Sequence, residues 1–126
     1  MDRKTLGRLG ENAAAQFLIQ AGCTILDRNW RSEQGEIDLI AREGDQLLFV
    51  EVRTRASRQY GSPEESITPA KAQKIMLAAQ DYLEIHTESE LYWRIDVIAI
   101  DCDPSGRVIR LDHYQNALAD YLDMPE

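Results

Sequence analysis

The alternation of apolar and polar positions divides the chain into helical and extended stretches. Residues 5–21, TLGRLGENAAAQFLIQA, place Leu6, Leu9, Ala13, Phe17 and Ala21 at helical spacing, and these form the expected buried stripe. Thr5 is the candidate N-cap, and Gly22 suits the left-handed stop after the helix. Gly7 and Gly10 each weaken a helix by about 1 kcal/mol relative to Ala, so they suggest a close backbone approach to another element. Glu11 lies on the side of Ala14, Ala15 and Leu18, at the margin of the stripe.

Thr24 to Trp30 reads as a strand with Ile25 and Leu26 as its apolar content. Gly35 to Arg55, GEIDLIAREGDQLLFVEVRTR, reads as a hairpin turning on Gly44-Asp45. Its second strand, Leu47 to Arg55, alternates cleanly. Leu48, Val50, Val52 and Thr54 take one face, and Leu47, Phe49, Glu51, Arg53 and Arg55 take the other. A long polar loop, Ala56 to Ile67, follows and hints at a binding segment. Thr68 as N-cap and Pro69 as first helical residue open a helix running to about His86. Its expected buried stripe is Ala72, Ile75, Met76, Ala79 and Leu83.

Thr87 to Glu90 is a turn, and Leu91 to Ile100 is a nearly continuous apolar strand, expected to be central. Arg94 and Asp96 interrupt it. They pair either with neighbouring residues or, for Arg94, with the acids of the hairpin. Asp101 to Gly106 is a turn, and Arg107 to Leu111 is a short strand whose arginines suit a sheet edge. Asn116 caps a last short helix through Leu122. The order helix, three strands, helix, strand predicts an α/β fold with a mixed central sheet flanked by helices. A length of 126 residues fits one domain, 1–126.

Composition narrows the function. No run of eighteen apolar residues is present, so no membrane partner is expected. No apolar signal core follows the first basic residues, and Cys23 and Cys102 lack ligand-like spacing. A cytoplasmic location with two reduced, buried thiols is expected. His86 and His113 are isolated in sequence, which gives no histidine metal site and no Ser/His/Asp arrangement. A net charge of −8 argues against broad affinity for nucleic acid. The excess is C-terminal, however: residues 84–126 carry ten acids and three bases. A basic nucleic-acid surface in the first two thirds therefore stays open.

The hairpin carries the chemistry. With a two-residue loop, Asp38 faces Glu51 and Glu36 faces Arg53. Directly opposed residues have Cβ atoms about 4.5–5.5 Å apart, and like charges there are destabilising. A divalent cation between Asp38 and Glu51 is one reason for such a pair. The other reading is a structural polar cluster, with Arg53 neutralising Glu36 and Arg94 neutralising Asp38. Lys71 and Lys74 share a face near a helix N-terminus, where the dipole disfavours cations and a phosphate would offset the cost. Two solvated lysines are the plainer reading. Arg55 and Arg58 are further candidates for phosphate contacts.

Helix-borne Glu11, GEIDLIA with Asp38, and FVEVRTR with Glu51 and Arg53 resemble the PD-(D/E)xK nuclease superfamily, which includes restriction endonucleases and Holliday junction resolvases. GRLGENAAAQFL, RNWR, GEIDLIA, FVEVRTR, YGSPEESI, the helix with Lys71 and Lys74, RIDVIAI and the late NAL together resemble the uncharacterised bacterial YraN-like family across nearly the whole chain. The resemblance implies a restriction endonuclease-like αβββαβ core and a Mg²⁺ or Mn²⁺ cofactor. It implies metal ligands at Asp38, Glu51, the Val52 carbonyl and the helix glutamate Glu11. It also implies a helix bearing Lys71, Gln73 and Lys74 against the substrate backbone. One position departs: Arg53 replaces the superfamily's lysine, and arginine cannot give up its proton.

Three functions follow as expectations. The first is a metal-dependent endonuclease acting on DNA, branched or damaged. The second is a nucleic-acid-binding module whose catalytic site has decayed. The third is a protein-interaction scaffold, including a homodimer formed through an edge strand.

Overall fold

The computed structural model describes residues 1–56, 67–86 and 92–118. The elements are α1 (Arg3–Gln20), β1 (Thr24–Arg31), β2 (Glu36–Glu43), β3 (Gln46–Arg55), α2 (Pro69–His86), β4 (Tyr92–Cys102) and β5 (Val108–Tyr114). They build one five-stranded sheet in the order β1-β2-β3-β4-β5. Only β3 and β4 run parallel, and α2 lies in the chain segment that joins them, as a parallel crossover requires. The other neighbours are antiparallel. The αβββαβ order is therefore present, with β5 added at one edge.

A separate apolar core lies on each face of the sheet. On one face Ile40, Leu47, Phe49 and Ile95 pack with Ala72, Ile75, Ala79 and Tyr82 of α2. On the other, Leu39, Leu48, Val50 and Ile98 pack with Ala14, Ala15 and Leu18 of α1. Covering both faces explains the nearly unbroken apolar runs in β2, β3 and β4. Phe49 and Leu48 are fully buried, and each such side chain contributes about 1.5–3 kcal/mol relative to exposure.

Several boundaries differ from expectation. The N-cap of α1 is Asp2, whose carboxylate accepts the Thr5 N–H at 2.7 Å, rather than Thr5. The buried stripe of α1 is Gly10, Ala14, Ala15 and Leu18, while Phe17 and Ala21 are exposed. The cause is close approach: a Cβ on Gly10 would stand 1.8 Å from Thr54 Oγ1 of β3. Small residues let the helix settle there, Leu6 and Ala13 pack at the margin of this core, and Phe17 faces solvent. In α2, Ala78 and Tyr82 are buried, and Met76 and Leu83 lie at the margin. The strand β4 extends to Cys102, and β5 runs to Tyr114 rather than Leu111. Residues 115–118 form turns, and the expected helix beyond Asn116 otherwise falls outside the described residues, as do residues 57–66 and 87–91. Among the described residues, no helix is long and apolar enough to cross a membrane.

Candidate metal centre

The turn at Gly44-Asp45 sets the geometry. Gly44 has φ +59, a conformation glycine tolerates, and Glu43 pairs with Gln46. The ladder proceeds to Leu39↔Val50 and then stops. At the next step Asp38 turns its carboxylate into the ladder. Its Oδ2 accepts the Val52 N–H at 2.7 Å, the bond that Ile37 would otherwise take in register. A strand residue directs its N–H and C=O to the same side, so the Val52 carbonyl also faces this break in the ladder.

The expected meeting of acids occurs here. The Asp38 and Glu51 carboxyls come together, and Glu51 acts on Asp38 through both hydrogen bonding and charge. Burial first, then the hydrogen bond and charge of Glu51, push Asp38 up to about 8. Arg53 closes the other side, with Nη2 3.1 Å from Glu51 Oε2. It does not reach across to Glu36, which pairs with Arg31 at 3.4 Å. The Nε of Arg53 is buried and has no hydrogen-bond partner among the described residues.

Glu11 approaches from α1. Burial, and then the charge of Asp38, raise its carboxyl above the ordinary value, while a hydrogen bond with Asn29 opposes them. The Gly10 contact with Thr54 sets the height of the helix and brings Glu11 over the sheet. Asn29 sits inside β1 with φ +52, a left-handed conformation that asparagine adopts more readily than most residues. Sequence reasoning missed Asn29. The signal was an asparagine inside an otherwise extended run, RNWR.

Glu11 is close enough to the acid pair for the Asp38 charge to act on it. Among the described residues no three His, Cys, Asp or Glu side chains are arranged to hold a metal ion. Asp38 and Glu51 are the hard oxygen donors at this point that could hold a cation, with the Val52 carbonyl facing the same break. Mg²⁺ is commonly bound by one or two carboxylates, with waters and substrate phosphates completing the octahedron.

The basic candidates divide. Arg55 is tied down, its Nε donating to Asp101 at 2.8 Å. Arg58 lies outside the described residues. Lys71, Gln73 and Lys74 are exposed on α2. The backbone of α2 at Lys74 passes so close to Gly35 that a Cβ there would stand 3.0 Å from the Lys74 carbonyl oxygen. That contact sets this stretch of α2 against the start of β2, immediately before Glu36.

A second polar cluster was illegible in the sequence. Arg94 pairs neither with Asp38 nor with the hairpin acids. Its Nε donates to Asp96 Oδ1 at 2.9 Å, and its Nη1 donates to Gln46 at 2.8 Å. Asp96 is fully buried and also meets His113 Nε2 at 2.7 Å and the Asn116 N–H at 2.9 Å. His113, isolated in sequence, is thus part of a buried network seventeen positions from its partner. Cys23 and Cys102 are buried free thiols, and burial raises both above the ordinary thiol value.

Comparison with known proteins agrees with the block pattern. A UPF0102 protein of Pelotomaculum thermopropionicum is 48% identical over 115 residues, covering 91% of this chain and 96% of that protein. A UPF0102 protein of Chloroflexus aurantiacus is 48% identical over 112 residues, covering 88% and 90%. One from Rhodococcus opacus is 51% identical over 98 residues, covering 75% and 80%. Among solved structures, Pyrococcus furiosus SfsA in complex with Ca²⁺ aligns with a TM-score of 0.45 at 16% identity, over 86% of this chain and 62% of that one. The family match spans residues 10–100, from the glycine that seats α1 to the end of the apolar run in β4, and the chain belongs to the uncharacterised protein family UPF0102.

Proposed function

We propose that the protein is a divalent-metal-dependent endonuclease that hydrolyses phosphodiester bonds in DNA, with branched or damaged duplexes as its substrate class. The observation that carries this reading is the Asp38–Glu51 contact. Two carboxyls are brought together where the β2–β3 ladder ends. A metal-free protein holds them together at a cost, and Mg²⁺ or Mn²⁺ would remove it.

When bound, such an ion supplies Lewis-acid neutralisation of the phosphate and a water of lowered pKa. The chain's own residues then have distinct tasks. Asp38 and Glu51 provide hard oxygen donors, and the Val52 N–H fixes the Asp38 carboxylate in place. Arg53 stays protonated, so it serves as a fixed positive charge and not as a base. Its buried Nε donor supports a role against developing phosphate charge. Glu11, held by Asn29, is the carboxylate placed to accept a proton from water. Lys71, Gln73 and Lys74, with Arg58, are proposed to contact the DNA backbone. Buried, unpaired Cys23 and Cys102 suit a reducing compartment, so the proposed location is the cytoplasm.

The test is cleavage of supercoiled and branched DNA with Mg²⁺ or Mn²⁺, compared with Glu51→Ala. Metal-dependent cleavage that disappears in the variant is expected. No cleavage of any DNA substrate with either metal would overturn the assignment.

The Arg53–Glu51 ion pair favours a second reading, a DNA-binding module that no longer cuts, because the guanidinium already occupies an oxygen of Glu51. Arg53→Lys separates the two. Cleavage gained in R53K from an inactive parent identifies the binding module, and cleavage already present in the parent rules it out.

A further inference from the structure

The two edges of the sheet are unlike each other. The outer strand β1 is interrupted by a bulge between Ile25 and Asp27 and by left-handed Asn29, and such breaks discourage pairing with another strand. The other outer strand, β5, also has one bulge, at Ile109 where Cys102 meets Val108, but it lacks a left-handed residue within the strand and is in regular register with β4 from Arg110 to Tyr114. Its side chains are open to solvent: Val108 is 38% exposed, Ile109 52% and Tyr114 36%.

Symmetry limits how β5 pairs with a copy of itself. In an antiparallel pair, each residue directs its N–H and C=O to one side, and alternate residues direct theirs to opposite sides. Two copies related by a twofold axis bond only if paired residues share the same direction. Their numbers must then sum to an even value, which places one residue on the axis. With Arg110 on the axis, two arginines face each other. With Asp112 on the axis, two aspartates do. With Leu111 on the axis, Arg110 faces Asp112 of the partner subunit, twice by symmetry. Opposite charges directly across strands are stabilising and like charges are not. Ile109 then faces His113 of the partner subunit.

We infer that β5 is a homodimerisation edge, pairing antiparallel with β5 of a second copy about Leu111 to form a continuous ten-stranded sheet. An axis perpendicular to the sheet leaves both copies' α2 faces on the same side. Arg110 and Asp112 lie opposite Asp101 and Ala99 of β4, in register with Arg55 and Arg53 of β3. The pairing therefore links the polar rows beside both acid pairs across one surface. A pair of short strands is a small interface, so a concentration-dependent dimer is expected rather than an obligate one. The inference does not depend on the acid pair binding metal.

The test uses complementary charge reversal in the full chain. Arg110→Glu sets two acids against each other at each contact, and Asp112→Lys sets two bases. Each variant alone should dimerise at least tenfold more weakly than wild type by sedimentation velocity. Mixed in equal amounts they should form a heterodimer, seen as the mixed mass by native mass spectrometry, because every contact is then opposite in charge. Leu111→Cys supplies a second readout that leaves Arg110 beside Asp101. Its two copies meet on the axis and should cross-link on mild oxidation, whereas Ile109→Cys should not. A wild type that stays monomeric at high concentration would overturn the inference. So would variants that dimerise like wild type, a mixture without heterodimer, or equal cross-linking at both cysteine positions.

Discussion

Asp38→Asn isolates the cost of the acid pair. In the metal-free protein the folded-state pKa of Asp38 is raised from the ordinary 3.8 to about 8. The native state therefore holds a proton that the unfolded chain has released between these two values. Stability from this group is fully present below pH ~4 and is lost as pH rises toward ~8. Asparagine imitates the protonated acid: it still accepts the Val52 N–H and donates to Glu51, and it has no charge to bury. Each pKa unit is worth about 1.4 kcal/mol, and relaxation of the site recovers part of the cost, so we expect a difference on the order of 2–3 kcal/mol above pH 8. For a chain of this size that is on the order of 10 °C in Tm. The assay is thermal unfolding in EDTA at pH 5 and pH 8.5. D38N should be more stable than wild type at pH 8.5, by a margin that shrinks toward pH 5. A variant no more stable than wild type at pH 8.5 would refute the claim that the two carboxyls strain each other.

Other expectations rest on different contacts. Asp96→Ala leaves Arg94 buried without its carboxylate, so the urea midpoint should fall by the equivalent of about 3–5 kcal/mol; a loss below about 1 kcal/mol would mean the network is incidental. Gly10→Ala drives a Cβ against Thr54 and should cost about 1–3 kcal/mol, partly recovered in G10A/T54A. Full additivity of those two changes would contradict the close approach.

Local chemistry made much of the fold legible. Pro69 after Thr68 fixed the start of α2, and the Thr68 hydroxyl does accept the Lys71 N–H at 3.2 Å. Gly22, at φ +100, marked the stop of α1, and Gly44-Asp45 fixed the register of the hairpin. From that register alone Asp38 and Glu51 could be placed in contact. What the sequence could not carry was set by distant partners. The face of α1 follows from Thr54, forty-four positions beyond Gly10, because a close-packed Gly-Ala seam won over larger side chains. The departure of Asp38 from the ladder is made by its bond to the Val52 N–H of β3, and nothing local signals it. The Asp96 network joins β4 to the chain after β5. Arg94 alone gave no reason to choose that partner over the hairpin acids.

The acid pair also explains why Arg53 need not be read as a simple loss. A lysine in a site with this much buried negative charge could change protonation, whereas arginine keeps its charge throughout. That charge pairs with Glu51, and in the proposed reaction it would also be available to a phosphate.

The most direct test is calorimetric titration of Mn²⁺ into the metal-free protein at pH 7.5, with wild type beside D38N. One ion per chain should bind wild type, and the affinity should fall at least tenfold in D38N, since one of the two touching carboxylates is gone. Equal binding by both proteins, or none by wild type, would contradict a metal site built on Asp38 and Glu51.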